Sequence, residues 1–183
     1  KKNGIYLKSY TQINISKIIS KINPDVIINT IALTNVDKCQ TSKKIAYRSN
    51  VIILKLITQS INQLNNKIKR PFLIHLSTDQ VYSGKGPHSE FSVKPINYYS
   101  KTKLLSEKYV DFKNGCVLRT NFLGYSKKHE NLNNWIVKSV KKKKKIYGYK
   151  NIYFSPLSMH TLAKKIIIIS RKQIGGIFNL GSL

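Results

Sequence analysis

Short β-branched runs alternate along this chain with longer stretches of helical periodicity, and nothing else in the sequence restricts the fold as much. Asp25-Val26-Ile27-Ile28-Asn29 reads as a buried strand, because a continuous apolar run after Pro24 suits a sheet covered on both faces. Thr41-Ser42 can cap a helix reaching about residue 65, with Ile45, Ala46, Ile52, Ile53, Leu56 and Ile57 as its apolar stripe. Pro71 ends that element. Phe72-Leu73-Ile74-His75-Leu76 is the next strand, residues 98–112 the next helix, and Cys116-Val117-Leu118 another strand after the stop at Asn114-Gly115. The spacing then predicts a helix over 132–142, a strand at Ile152-Tyr153-Phe154, a helix over 161–170 and a strand at Ile177-Phe178-Asn179-Leu180. Strands joined by right-handed helical crossovers give an α/β fold, a parallel sheet with helices on both faces. Ligands of such folds bind beyond the carboxyl ends of the strands, here just after Asn29, Leu76 and Leu118.

The chain of 183 residues carries a formal net charge of +26, which ordinarily points to nucleic acid or an anionic surface. Composition weakens that inference. The sequence holds 29 Lys, 26 Ile and 17 Asn, a bias across charged, apolar and polar types that reflects nucleotide composition more than selection for one partner. The lysines are scattered and no nucleic-acid motif is present, so a nucleic-acid-binding reading ranks last and no specific nucleic acid is expected. Cys39 and Cys116 lack CxxC spacing and a histidine companion, which argues against a disulfide framework or a zinc site and for a reducing cytoplasm. No apolar run approaches the roughly 18 residues of a membrane span, so no membrane partner is expected.

Chemistry concentrates in two segments. Ser77-Thr78-Asp79-Gln80-Val81-Tyr82 follows the second strand, and Asn97-Tyr98-Tyr99-Ser100-Lys101-Thr102-Lys103 opens the next helix. Tyr99 and Lys103 are four apart and share a helix face, whereas the same step from Tyr98 lands on uncharged Thr102. A phenol titrates near pH ~10, and a neighbouring ammonium favours its phenolate, moving it toward the range where a general acid works. With a hydroxyl from Thr78 at the strand end, these groups make a proton-delivery site for a carbonyl undergoing reduction.

At these segments the chain resembles the extended short-chain dehydrogenase/reductases, and within them the dTDP-4-dehydrorhamnose reductase group. The likeness runs through residues 24–29, 34–39, 46–50 and 76–82, Glu90, residues 95–103 with Glu107, and Leu118-Arg119-Thr120, and more weakly through 154–156 and 176–179. The resemblance implies a Rossmann-like sheet, with residues 1–120 as a partial dinucleotide-binding domain and 121–183 mainly a small substrate-binding lobe that returns elements to the sheet. It implies that NADPH or NADH reduces the C4 ketone of a nucleotide-linked deoxysugar while Tyr99 protonates the developing alkoxide. Lys103 would lower the tyrosine pKa and hold the nicotinamide ribose, and Thr78 would orient the ketone. Thr30-Ile31-Ala32 would run along the cofactor with Asn50 near its ribose, and Asp79 and Phe122 would contact the substrate.

Two departures stand out. There is no GxxGxxG or GxxGxxA turn for the cofactor pyrophosphate, Gly4 standing alone, and residues 7–9 lack the acid that relatives place near the adenine. With the only Met at position 159, this leads to the expectation that an N-terminal segment of a few dozen residues precedes Lys1. Other readings on the same scaffold are an epimerase or dehydratase, or a non-catalytic regulatory subunit. Oligomeric state stays open, a homodimer included. Arg119 reads equally as an ion-pair partner or a ligand contact, His75 as a satisfied buried residue, Trp135 as core or lobe packing, and residues 141–145 as a solvated helix end. His88, His129 and His160 lack companions at ligand spacing, so no metal is expected.

Overall fold

A computed structural model describes residues 4–65, 69–124, 132–148 and 150–182. His129 lies outside them. The chain opens with α1 (Gln12–Ile22), β1 (Val26–Asn29), α2 (Val36–Thr41) and α3 (Lys43–Tyr47), and a π-helical turn over Arg48–Ile52 leads into α4 (Ile53–Asn62). Then come β2 (Phe72–Thr78), a 3-10 turn over Asp79–Val81, α5 (Tyr98–Glu107) and β3 (Gly115–Thr120). The last part holds β4 (Phe122–Leu123), α6 (Leu132–Lys141), β5 (Leu157–Ser158), α7 (Met159–Lys172) and β6 (Gly176–Leu180).

The main sheet has the order β1-β2-β3-β6 and every neighbouring pair is parallel. One face packs Leu73 and Val117 against Ile15 and Ile19 of α1 and Ile53, Leu54, Ile57 and Ile61 of the α4 region. The other packs Phe72, Ile74, Cys116 and Leu118 under Ile166 and Ile169 of α7. Because β2 and β3 are covered on both faces, they read as unbroken apolar runs. Their register sets Thr78 beside Thr120, so the carboxyl ends of both strands reach the same edge.

Several boundaries differ from expectation for local reasons. The helix expected after Thr41-Ser42 begins there, with Ser42 ahead of α3, and runs on through the π-helical turn and α4 to Asn62; the separate short helix α2 before it is an addition, capped by the Asn35 side chain, which accepts from Lys38 N at 2.7 Å. α1 was not anticipated. Thr11 caps it, and its Ile15 and Ile19 are buried one turn apart among exposed Ile13 and Ile22, so the abundance of isoleucine blurred the stripe. α5 stops at Glu107, five residues early, and Val110 turns into the core. The strand expected at 152–154 is absent: those side chains are exposed, and the pairing is made by Leu157 and Ser158 with β4. Trp135 is 43% exposed and so is not core. Gly115 is required where it stands, since a Cβ there would meet Leu73 O at 2.7 Å. No helix among the described residues is long and apolar enough to cross a membrane.

Candidate active site at the carboxyl edge of the sheet

The site forms where β1, β2 and β3 end and α5 begins. Asn97 caps α5, its side chain accepting from Ser100 N at 2.8 Å while Ser100 Oγ accepts from Asn97 N at 3.3 Å. This capping box aims the first turn of the helix, and Tyr99 with it, at the strand ends. Tyr99 and Lys103 are both buried on the helix face turned inward. Lys103 is 2% exposed, yet its Nζ donates to Leu76 O at 2.6 Å. Burial pulls its pKa down to about 8 against the opposing pull of the Glu107 carboxylate.

The Tyr99 phenol moves the other way. Burial raises its pKa, the Thr78 side chain beside it favours the phenolate, and the charges of Asp79 and Cys39 oppose that. The net direction is upward, where a lowered value was expected from the neighbouring Lys103 ammonium: burial of the ring is the largest influence. Thr78 accepts from Gln80 N at 3.2 Å and caps the 3-10 turn.

Asp79 sits one residue on, its carboxyl held by Asn121 Nδ2 at 3.2 Å and raised in pKa by burial. Asn121 escaped sequence reasoning, because only the strand register brings the end of β3 to Asp79. Phe122 is 44% exposed on β4 near the same edge. On the other flank, Thr30 is exposed and Ile31 and Ala32 are half-buried, a surface able to lie along a ligand. Asn50 differs from its expected place at a ribose. It is 1% exposed, its Oδ1 accepts from Leu33 N at 2.7 Å, and its Nδ2 donates to Thr102 Oγ1 at 2.9 Å. Its amide is used inside the protein, behind the loop after β1.

Arg119, left open by the sequence, makes an ion pair with Glu107 and donates through Nη1 to Tyr82 Oη at 2.8 Å and Glu90 O at 2.6 Å. Ser77 adds a hydrogen bond to Glu107 at 2.5 Å. The guanidinium is held by protein groups on all three of its nitrogens and ties the segment around Tyr82 and Glu90 to the sheet. No cluster of three metal-ligating side chains occurs among the described residues.

A model of the family described as the RmlD substrate binding domain matches residues 8–182. The chain belongs to that family. Among RmlD relatives, the dTDP-4-dehydrorhamnose reductase of Salmonella typhimurium is 26% identical over 178 residues, which cover 91% of this chain and 57% of that protein. A solved structure described as a hypothetical dTDP-4-dehydrorhamnose reductase from Sulfolobus tokodaii superposes with a TM-score of 0.86 at 30% identity, covering 99% of this chain and 64% of that one. The Bacillus anthracis dTDP-4-dehydrorhamnose reductase, solved in complex with NADP, shares the fold at a TM-score of 0.82 and 23% identity, over 97% of this chain and 63% of that one. The chain therefore spans a little over half the length of its curated RmlD relatives, and its fold is the Rossmann-like sheet expected from the alternation of elements.

Proposed function

We propose that this chain carries the proton-donating and substrate-orienting part of an NAD(P)H-dependent reductase acting on the 4-keto group of a nucleotide-linked deoxysugar. The observation that carries the reading is that Tyr99 and Lys103 share one buried face of α5, with Lys103 Nζ bonded to Leu76 O near the carboxyl end of β2, where Thr78 stands. Its setting is the biosynthesis of nucleotide sugars in the cytoplasm, a compartment in keeping with two buried, unpaired cysteines. In this reading residues 1–120 are the catalytic, partly dinucleotide-binding domain, and 121–183 mainly a substrate-binding lobe, with α7 and β6 returning to the main sheet.

The residues present fit the nicotinamide and ribose half of the cofactor. Lys103 is a buried cation with protons beyond the one given to Leu76 O, and Thr30, Ile31 and Ala32 offer a flat flank at the neighbouring strand end. When bound, the dihydronicotinamide supplies the hydride. Thr78 hydrogen-bonds the ketone oxygen and sets it against Tyr99. As C4 is reduced, the Tyr99 O–H bond breaks and its proton passes to the developing alkoxide, giving the alcohol and a phenolate that solvent reprotonates. A phenol whose pKa is raised arrives at this step protonated, which a donor requires. Lys103 would hold the nicotinamide ribose, Asp79 takes a sugar hydroxyl, and Phe122 packs on the sugar ring.

The test is oxidation of NADPH or NADH by the full-length gene product with a 4-keto deoxysugar nucleotide. Tyr99→Phe should lower kcat by about 10²–10⁴-fold, the range for loss of a general acid. Unchanged turnover in that variant removes Tyr99 as the donor.

A further inference from the structure

Behind the candidate site, fully buried on β2, lies His75, an imidazole that the proposed reaction does not use. Its Nδ1 is 3.0 Å from Asn29 Nδ2 at the end of β1, its Nε2 is 3.0 Å from Ser106 Oγ on α5, and Lys103 Nζ lies 3.5 Å from that same Nε2. Backbone groups at both ends decide where the protons are. The Ile31 N–H can only donate, and it gives its proton to Asn29 Oδ1 at 3.2 Å, so the Asn29 amide nitrogen faces His75 as a donor and Nδ1 must accept. At the other end Lys103 O can only accept, and it takes the Ser106 hydroxyl proton at 2.6 Å, so Ser106 Oγ accepts from Nε2–H.

We propose that His75 is a positioning residue, locked as the neutral Nε2–H tautomer, that couples the loop after β1 to the helix bearing Tyr99 and Lys103. The wiring runs one way, from Ile31 N–H through Asn29, His75 and Ser106 to Lys103 O. It spans β1, β2 and α5, the three elements that frame the reduction proposed above, on which this inference rests. An Nε2 that already carries a proton offers Lys103 no acceptor, so the ammonium is sent to Leu76 O. A second ring proton is disfavoured twice, by the Asn29 donor at Nδ1 and by the Lys103 charge. The pKa of His75 is accordingly well below the ordinary histidine range, through burial first and Lys103 second. A ring with this environment cannot act as a base, but it holds the depth of α5 against the loop that flanks the cofactor.

The tautomer is read without any variant, from long-range proton–nitrogen NMR of His75 in the full-length protein. The expected signature is an unprotonated Nδ1 and a protonated Nε2 at neutral pH; an Nδ1–H tautomer or an imidazolium overturns the proposal. Coupling is read from Asn29→Ala, Ser106→Ala and the pair together, two residues that meet only through His75. Each single change should lower kcat about tenfold with a smaller change in the KM of the sugar nucleotide, and the double variant should fall little further, the non-additivity of one shared strut. Multiplying effects, or a kcat that does not move, overturn it. If the wild-type protein reduces no 4-keto sugar, the reductase reading fails on its own. The strut is then judged by amide exchange: Ser106→Ala should weaken protection of the distant Ile31 N–H about tenfold, and unchanged protection refutes it.

Discussion

Arg119 Nη2 donates to Glu107 Oε2 at 2.6 Å, and the two side chains are only 3% and 4% exposed. Nε reaches both carboxylate oxygens, at 3.1 and 3.2 Å, so the pair is held in a forked geometry. Beyond Arg119 the network continues from Tyr82 Oη to Asn179 Oδ1 at 2.7 Å, and Asn179 Nδ2 donates to His88 O at 3.1 Å. One buried charge pair thus joins α5, β3, β6 and the segment between β2 and α5. Glu107→Ala should cost about 3–5 kcal/mol, because it strands a guanidinium away from water, whereas Glu107→Leu with Arg119→Met should recover much of that. Urea unfolding measures both, and a loss below about 1 kcal/mol for Glu107→Ala refutes the assignment.

Lys103 makes the site costly to stability at neutral pH. Its folded pKa, about 8, is below the ordinary lysine value, so between those two values the unfolded chain binds more protons and stability rises with pH. Below pH 8 the full penalty of the buried ammonium is present, on the order of 3 kcal/mol from the size of the shift. Lys103→Met should therefore be more stable than wild type at pH 7 and lose that advantage by about pH 10.5, while also losing activity. A stability difference that is flat from pH 7 to 10.5 would contradict the burial.

Asn50 holds both backbone groups of Leu33, Nδ2 donating to Leu33 O at 3.3 Å as well as to Thr102, and Thr102 Oγ1 in turn donates to Tyr99 O at 2.7 Å. Asn50→Ala leaves these buried groups unpaired and should cost about 1–3 kcal/mol. Its kinetic mark should be a raised KM for the dinucleotide that exceeds the fall in kcat, since the loop of residues 30–33 moves while Tyr99 keeps its helix. Steady-state kinetics with varied NADPH separates the two.

Cys39 and Cys116 are both 0% exposed, and burial lifts the Cys116 thiol to about 11 and the Cys39 thiol above its ordinary value. A disulfide reagent attacks the thiolate, which is scarce at pH 8 under these conditions. Native protein should therefore react at neither site within minutes, and both thiols should titrate after unfolding. Fast labelling of the native fold would show that Cys116 is accessible.

The one-turn spacing of Tyr99 and Lys103, the alternation of strands and helices and the hydroxyl-acid pair after β2 were all legible in sequence, because each depends on neighbours within a few positions along the chain. Helix boundaries were legible only in part. In a chain holding 26 Ile, periodicity marks the buried face poorly: in α1 Ile15 and Ile19 are buried while Ile13 and Ile22 are exposed, a choice that packing against α4 makes. What local order could not decide were the contacts between strand ends. The hold of Asn121 on Asp79, the meeting of Asn29 with His75, the pairing of Arg119 with Glu107 and the inward turn of Asn50 join residues 12 to 52 positions apart. Those distances close only when parallel register brings the carboxyl ends of β1, β2 and β3 to one edge and α5 is pressed across them. The direction of the Tyr99 pKa was decided there too: sequence supplies the ammonium one turn away, but packing determines how little water reaches the phenol, and that burial is the largest influence.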